Sequence, residues 1–262
     1  MNRKCAKPGE FTTLELMAVC GSRQINNREV IFVGTGLPLI AAMLAKRTHA
    51  PAAKIVYEAG FIDSNAKDIA LSIADSRVGY RASGAIGLIE TLGLMLQGGR
   101  VDLGFVGAAQ IDEHGNINTT YIGTFEKPIV RLPGSGGGND IASSAKRIVV
   151  IMTHEKRKMV KKLDYLTSPG FLDGPGARER TGLLGGGPSL VVTNLCQMDF
   201  EPEKKLIRIA TIHPGVTVEQ VTESSGFDLI IPKNVPTTDL PTCEELELLR
   251  TIDPNGIYIP RQ

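Results

Sequence analysis

The sequence predicts an α/β fold built on a single open sheet, mostly parallel or mixed and flanked by helices. Short apolar runs at residues 30–33, 54–57, 103–106 and 147–152 have the length and β-branched content of buried strands. Segments with helical spacing separate several of them, and glycine-rich turns sit between strand and helix. A strand, a glycine turn, a helix and a second strand form a βαβ unit whose loops gather at the strands' carboxyl ends.

The elements follow in order. Residues 1–9 read as a flexible polar arm. Thr12 or Thr13 then caps a helix reaching about Ile25, because both hydroxyls precede the apolar series Leu14, Leu16, Met17 and Cys20. Val30 to Val33 is a strand, Gly34-Thr35-Gly36-Leu37-Pro38 a turn, Leu39 to Thr48 a helix, and Lys54 to Tyr57 the next strand, leaving through Glu58-Ala59-Gly60. A polar stretch runs to Arg81, and Ile86 to Leu96 has helical spacing. Leu103 to Val106 is strand-like, followed by Gly107-Ala108-Ala109-Gln110-Ile111-Asp112 and a tight turn at His114-Gly115-Asn116. Ile129 to Leu132 leads into Pro133-Gly134-Ser135-Gly136-Gly137-Gly138-Asn139-Asp140, then a short helix and the strand Arg147 to Met152. Residues 164–188 are rich in glycine and proline and read either as an ordered, partner-binding surface loop or as a lid. Leu190 to Thr193 is a strand. Phe200 to Ile209 crosses a charged turn and returns as an antiparallel edge. Helices at Val216 to Ser224 and Cys243 to Arg250 complete the chain. No linker or repeat divides it, so 1–262 reads as one domain.

Composition narrows the function. The chain has 262 residues, enough to bury a core without disulfides or a structural metal. Its 29 basic and 28 acidic side chains leave a net charge of +1, which gives no general attraction to nucleic acid or anionic membrane. The uncharged run 37–45 is too short to cross a bilayer, and Met1 opens a polar stretch unlike a secretory signal. Cysteines 5, 20, 196 and 243 form no CxxC pair and no cysteine–histidine zinc spacing, so no metal is expected and a reducing, cytoplasmic setting is.

Two glycine clusters and one carboxylate stand out. Gly34 and Gly36 lie between strand and helix, where bare amides can face an anion, but Leu39 stands where a dinucleotide fingerprint needs its third glycine. The Gly134 to Gly138 run lacks the Lys-Ser/Thr ending of a P-loop, and its glycines fit close approach to a ligand or close packing equally well. Glu58 leaves a strand where α/β proteins place their sites, yet taken alone it reads as a salt-bridging or loop-bonding residue. There is no G-x-S-x-G elbow, and His49, His114, His154 and His213 have no metal-ligand spacing and read as structural or exposed.

Taken together, the blocks resemble the second, beta-type subunit of the family I CoA-transferases, glutaconate CoA-transferase above all. The resemblance rests on Val33-Gly34-Thr35-Gly36-Leu37-Pro38-Leu39-Ile40, Ala45-Lys46-Arg47 with Ala50-Pro51, Glu58-Ala59-Gly60, and Gly107 to Asp112 with Gly115-Asn116-Ile117-Asn118. It continues through Gly134-Ser135-Gly136-Gly137, His154-Glu155-Lys156-Arg157, Thr167-Ser168-Pro169-Gly170, Asp173-Gly174-Pro175-Gly176 and Gly226-Phe227-Asp228.

The resemblance implies a NagB/RpiA/CoA-transferase-like fold, with Glu58 as the nucleophile of ping-pong chemistry through a glutamyl-CoA thioester. It assigns Gly136, Gly137 and Gly138 to an oxyanion loop, and gives Gly34, Gly36, Gly60, Ser83, Gln110 and Asn139 a part in shaping the pocket. It implies a separate alpha-type subunit, αβ units that pair further, a short dicarboxylic acid such as glutaconate, and coenzyme A or acyl-CoA as substrate, with no tightly bound cofactor. Relatives with altered chemistry leave a CoA-thioester hydrolase, a glutaconyl-CoA-type decarboxylase and a noncatalytic acyl-CoA-binding subunit as alternatives. Retention of Glu58 favours transfer.

Overall fold

The computed structural model describes residues 6–7, 9–64, 69–72 and 75–260. The chain groups into two compact units, one comprising 1–105 with 239–262 and the other 106–238. The main strands form an open mixed sheet flanked by helices, so the α/β mixed-sheet expectation holds.

In the first unit, strands β1 (Val30–Val33), β2 (Lys54–Tyr57), β3 (Phe61–Ile62), β4 (Gly84–Ala85) and β5 (Leu103–Gly107) lie in the order β5-β1-β2-β3-β4. The β5-β1-β2 part is parallel, whereas β3 and β4 run antiparallel to their neighbours. Helix α1 (Thr13–Ser22) begins at a capping box in which Thr12 accepts from the Glu15 amide and Glu15 reaches back to the Thr12 amide. It ends three residues before the expected Ile25. Helix α2 (Leu37–Arg47) starts two residues early, at Leu37, with Gly36 as N-cap and Pro38 in its first turn. Both helices bury apolar side chains around most of their girth, among them Leu16, Val19, Ile40 and Leu44. A C-terminal helix (Cys243–Ile252) returns to this unit, where Arg250 pairs with Glu15 at 2.7 Å and Arg23 with Glu245 at 2.9 Å. The helix expected from Ile86 is a π-helix over Glu90–Gln97, and Leu94 within it and Leu88 and Ile89 just before it stand exposed. Of the N-terminal arm, Ala6 is buried and donates its amide to Pro241; residues 1–5 and 8 lie outside the described residues.

The second unit begins with two small antiparallel ribbons. One joins β6 (Gln110–Ile111) to β7 (Ile117–Asn118), and the other joins β8 (Tyr121–Gly123) to β9 (Pro128–Arg131). Helix α3 (Gly138–Ser144) follows the glycine turn. Strands β10 (Arg147–Ile151), β11 (Pro188–Val192), β12 (Cys196–Phe200) and β13 (Ile207–Ile212) then pair in sequence, the first pair parallel and the others antiparallel. The charged turn predicted near 200 is real, and the edge it makes is a two-strand hairpin.

Residues 164–188 form an ordered loop with one short helix, α4 (Ala177–Arg180). Asn116 accepts through its Oδ1 from the Gly170 and Leu172 amides, and Gly170 packs so tightly that an added Cβ would stand 2.3 Å from the Gly115 carbonyl carbon. Arg178 is buried in the loop, with its guanidinium surrounded by main-chain carbonyls. These contacts pin the segment at Gly170, Leu172 and Arg178. Helix α5 (Val218–Glu223) closes the unit.

Candidate functional site

In the first unit the parallel register Val33↔Tyr57 ends β1 and β2 at the same level. Gly34 and Glu58 therefore leave the sheet side by side, on neighbouring strands spaced by about 4.8 Å. That is the carboxyl edge where open α/β sheets bind ligands.

Glu58 and Ala59 occupy a tight turn closed by the Gly60 amide donating to Tyr57 at 2.8 Å. Gly60 has φ +92°, and a Cβ there would meet the Ile86 carbonyl oxygen at 1.9 Å. Both facts require glycine. The Gly60 carbonyl in turn accepts from the Ile86 amide at 3.0 Å, so the turn is tied to the segment after β4. The local sequence thus fixes the main chain on which Glu58 is mounted.

Glu58 itself is half-buried, and among the described residues its carboxylate has no hydrogen bond and no ion pair. Asp63, just after β3, is the opposite case. It bridges Lys46 and Lys54, the latter at 2.6 Å. Burial pushes the Asp63 carboxyl up, but the two lysines pull it below its ordinary value. A carboxylate neutralised by two ammonium groups is a structural anchor, and Glu58 has no such partners among the described residues.

The other first-unit residues support this edge. Gly36 caps α2, and its carbonyl accepts from the Leu39 and Ile40 amides. An added Cβ at Gly34 would touch nothing within 4 Å, so the fold of this chain does not itself demand glycine there. Ser83 is exposed and donates its amide to Ile62 at 2.9 Å.

In the second unit the glycine turn is built by short-range bonds. Thr119 holds Gly134 reciprocally, the Gly134 amide donating to the Thr119 carbonyl and the Thr119 hydroxyl to the Gly134 carbonyl, both at 2.8 Å. Gly136 has φ +46°, whereas Gly137, the N-cap of α3, has the ordinary values φ −79° and ψ 0°. Gly138 donates its amide to Ser135 at 2.7 Å. Of the three glycines singled out in the sequence, only Gly136 and Gly137 therefore keep amides without an acceptor among the described residues.

Gln110 and Asn139 prove to be well anchored. Gln110 is buried; its Nε2 donates to Asp164 at 2.8 Å and its Oε1 accepts from Asn118 at 2.7 Å. Asn139 is exposed, with Nδ2 donating to the Thr167 carbonyl at 2.7 Å. Sequence reasoning missed Thr119, Thr167 and Arg178, which hold the turn and α3; hydroxyls and an arginine in a loop carry no spacing signal that could have revealed them. The four histidines are structural. His154 and His213 are buried, His49 contacts the Ile25 carbonyl, and His114 contacts the Lys205 carbonyl. Among the described residues no group of histidine, cysteine, aspartate and glutamate is arranged to hold a metal ion, and no helix is long and apolar enough to cross a membrane.

The first unit thus has an unpaired glutamate at a parallel-strand edge, and the second a glycine turn with two amides that have no acceptor among the described residues. The chain matches the Coenzyme A transferase family over residues 14–224 and belongs to it. It is 42% identical over 243 residues to the B-type subunit of 3-oxoadipate CoA-transferase from Pseudomonas knackmussii, covering 93% of this chain and 94% of that protein. It is 40% identical over 256 residues to the B-type subunit of glutaconate CoA-transferase from Acidaminococcus fermentans, covering 95% of each. The crystal structure of the Acidaminococcus fermentans glutaconate coenzyme A-transferase superposes with a TM-score of 0.91 at 38% identity, covering 97% of this chain and 99% of that one.

Proposed function

We propose that this chain is the beta-type subunit of an acyl-CoA:carboxylate CoA-transferase and that Glu58 is its nucleophile. The observation that carries the reading is the half-buried Glu58 carboxylate, fixed by the Gly60 turn at the sheet edge and left without a partner among the described residues.

A carboxylate oxygen of Glu58 attacks the thioester carbonyl of an acyl-CoA. The C–S bond breaks, giving a mixed anhydride and CoA thiolate. The thiolate then attacks the glutamyl carbonyl, the anhydride C–O bond breaks, and the first acid leaves as a carboxylate. The enzyme now holds CoA as a thioester on Glu58. An incoming carboxylate runs the two steps backwards and departs as the new acyl-CoA. Splitting the transfer this way gives ping-pong kinetics. One thioester replaces another, so the sequence of steps requires neither ATP nor a tightly bound cofactor.

Each attack places negative charge on a carbonyl oxygen. The amides of Gly136 and Gly137 are the donors we assign to it, with Gly138 supporting them through its bond to Ser135. One such donor contributes about 3 kcal/mol to the transition state. Water has to be kept from the anhydride and the glutamyl thioester, which both hydrolyse readily.

The acceptor we propose is a short linear dicarboxylate. Glutaconate and 3-oxoadipate, named in the two relatives at 40% and 42% identity, are both of this class, and neither is favoured over the other. The subunit designation of those relatives supports a separate alpha-type partner here, and we propose that the resulting αβ units pair further. The buried thiols of Cys20 and Cys196 suit a reducing compartment such as the cytoplasm. The test is exchange of a labelled dicarboxylate into acyl-CoA by the chain assembled with its alpha-type subunit. Exchange that requires Glu58 supports the proposal; release of free CoA with no exchange into any dicarboxylate makes the protein a hydrolase instead.

A further inference from the structure

The buried Arg178 has no part in the chemistry above, and its surroundings are unusual. The residue is 4% exposed, and no carboxylate among the described residues lies within ion-pair distance. Its acceptors are five main-chain carbonyls. Nε donates to Gly185 at 2.8 Å, one terminal nitrogen to Gly170 at 2.7 Å and Pro169 at 3.3 Å, and the other to Ala142 at 2.9 Å and Ser143 at 3.3 Å. Burying a cation costs several kcal/mol, and removing it here would leave these carbonyls without donors. A planar fork of donors does what an apolar side chain cannot: it fixes several carbonyls at set distances and angles.

Those carbonyls belong to three segments, and one of them is the last turn of α3. The first turn of α3 is gripped by the same loop, since Asn139 donates to the Thr167 carbonyl at 2.7 Å. The Thr167 hydroxyl accepts from the Thr119 amide, and Thr119 holds Gly134. The glycine turn is thus clamped at Gly134 and Asn139, while Arg178 holds the far end of the helix that follows.

We infer that Arg178 is a positioning residue for the glycine turn, setting the axis of α3 and with it the placement of the Gly136 and Gly137 amides; this rests on the reading of that turn as the oxyanion site. Arg178 also bonds the Pro169 and Gly170 carbonyls beside the Thr167 clamp, so the clamp shifts with it; over the roughly 7.5 Å from Gly137 to Ala142, at about 1.5 Å per residue, a swing of roughly 8° moves the glycine amides by about 1 Å. A displacement of that size at a reacting centre can cost about a hundredfold in rate.

The experiment compares Arg178→Lys, Asn139→Ala and Gly136→Ala with the wild-type chain, each assembled with the alpha-type subunit. It measures kcat, KM and the rate of CoA transfer onto the enzyme, together with hydrogen exchange by mass spectrometry across residues 134–143. Lysine keeps the charge but offers its donors from a single point. Arg178→Lys is expected to lower kcat and the first half-reaction by about tenfold to a hundredfold, to leave KM within about threefold, and to speed exchange in 134–143. Asn139→Ala, an exposed change on the second clamp, is expected to give a smaller loss in the same two rates. A folded Arg178→Lys enzyme with wild-type kcat, or with a defect in KM or thermal stability alone, overturns the inference. If Arg178→Lys does not fold, wild-type rates in Asn139→Ala overturn it. If Gly136→Ala leaves the first half-reaction intact, the oxyanion reading fails and this inference falls with it. If Gly136→Ala slows that step and the clamp variants do not, only the positioning role is refuted.

Discussion

Acid should loosen the second unit through His154. The ring is buried between β12 and the end of α5, with Nε2 2.9 Å from the Ser225 hydroxyl and Nδ1 3.3 Å from Thr193 and 3.7 Å from the Cys196 sulfur. Ser225 donates its own proton to the Val221 carbonyl, so it accepts Nε2–H, and the neutral imidazole satisfies the site. Burial lowers the His154 pKa from 6.5 to about 4. The folded value lies below the unfolded one. The contribution is therefore complete above pH 6.5 and is lost as pH falls toward 4, because the unfolded chain takes up the proton first. The full loss is about 3 kcal/mol, and a little over ~1 kcal/mol of it has appeared by pH 5.5. Burial lowers the His213 pKa as well, which adds to the same trend. The assay is urea unfolding of the wild type and His154→Gln between pH 7.5 and 5. The variant should start less stable and then lose about 1 kcal/mol less than the wild type down to pH 5.5. Parallel pH profiles for the two proteins would refute the reasoning, since the titration would then lie elsewhere.

Three further outcomes follow from the geometry. Gly60→Ala should cost well over 1–2 kcal/mol, because it adds a clash with the Ile86 carbonyl to a left-handed φ, and exchange protection should fall at residues 58–62 and 84–86; unchanged protection would mean the turn is not held as described. Gly136→Ala should lower kcat about tenfold or more with little change in KM, whereas Gly138→Ala, at a residue whose amide is already engaged by Ser135, should be milder; steady-state kinetics with equal effects at the two positions would argue for a packing turn. The chain purified alone should show little transferase activity and gain it on mixing with an alpha-type subunit, and full activity of the single chain would contradict the proposed assembly.

The parallel core was legible because its signal is local. Val30–Val33, Lys54–Tyr57 and Arg147–Ile151 are short apolar runs, and burial on both faces is what such runs encode. Thr12, one of the two hydroxyls read as a cap, marked the start of α1 in the same local way. The short strands β3, β4, β6, β7 and β8 escaped, since two or three residues carry no period and their pairing is set by distant partners. The π-helix was read as an ordinary helix because its apolar spacing does not reveal how the main chain is wound. At the site, the position of Glu58 could be read from the strand that precedes it. Its lack of a partner could not, because that depends on Lys46 and Lys54 choosing Asp63. The engagement of Gly138 by Ser135 and the carbonyl cage of Arg178 were equally hidden, being main-chain geometry that no residue type specifies.

The central claim is that CoA passes through a covalent bond to one side chain, and that bond can be trapped. The assembled enzyme is incubated with acyl-CoA without acceptor acid, reduced with borohydride, digested and analysed by mass spectrometry. The reduced product should appear at Glu58 in the wild type and nowhere else, hydroxylamine treatment before reduction should abolish it, and Glu58→Gln should show neither adduct nor exchange while still assembling. An assembled Glu58→Gln enzyme that exchanges acyl groups at the wild-type rate, or an adduct on another residue, would contradict the account.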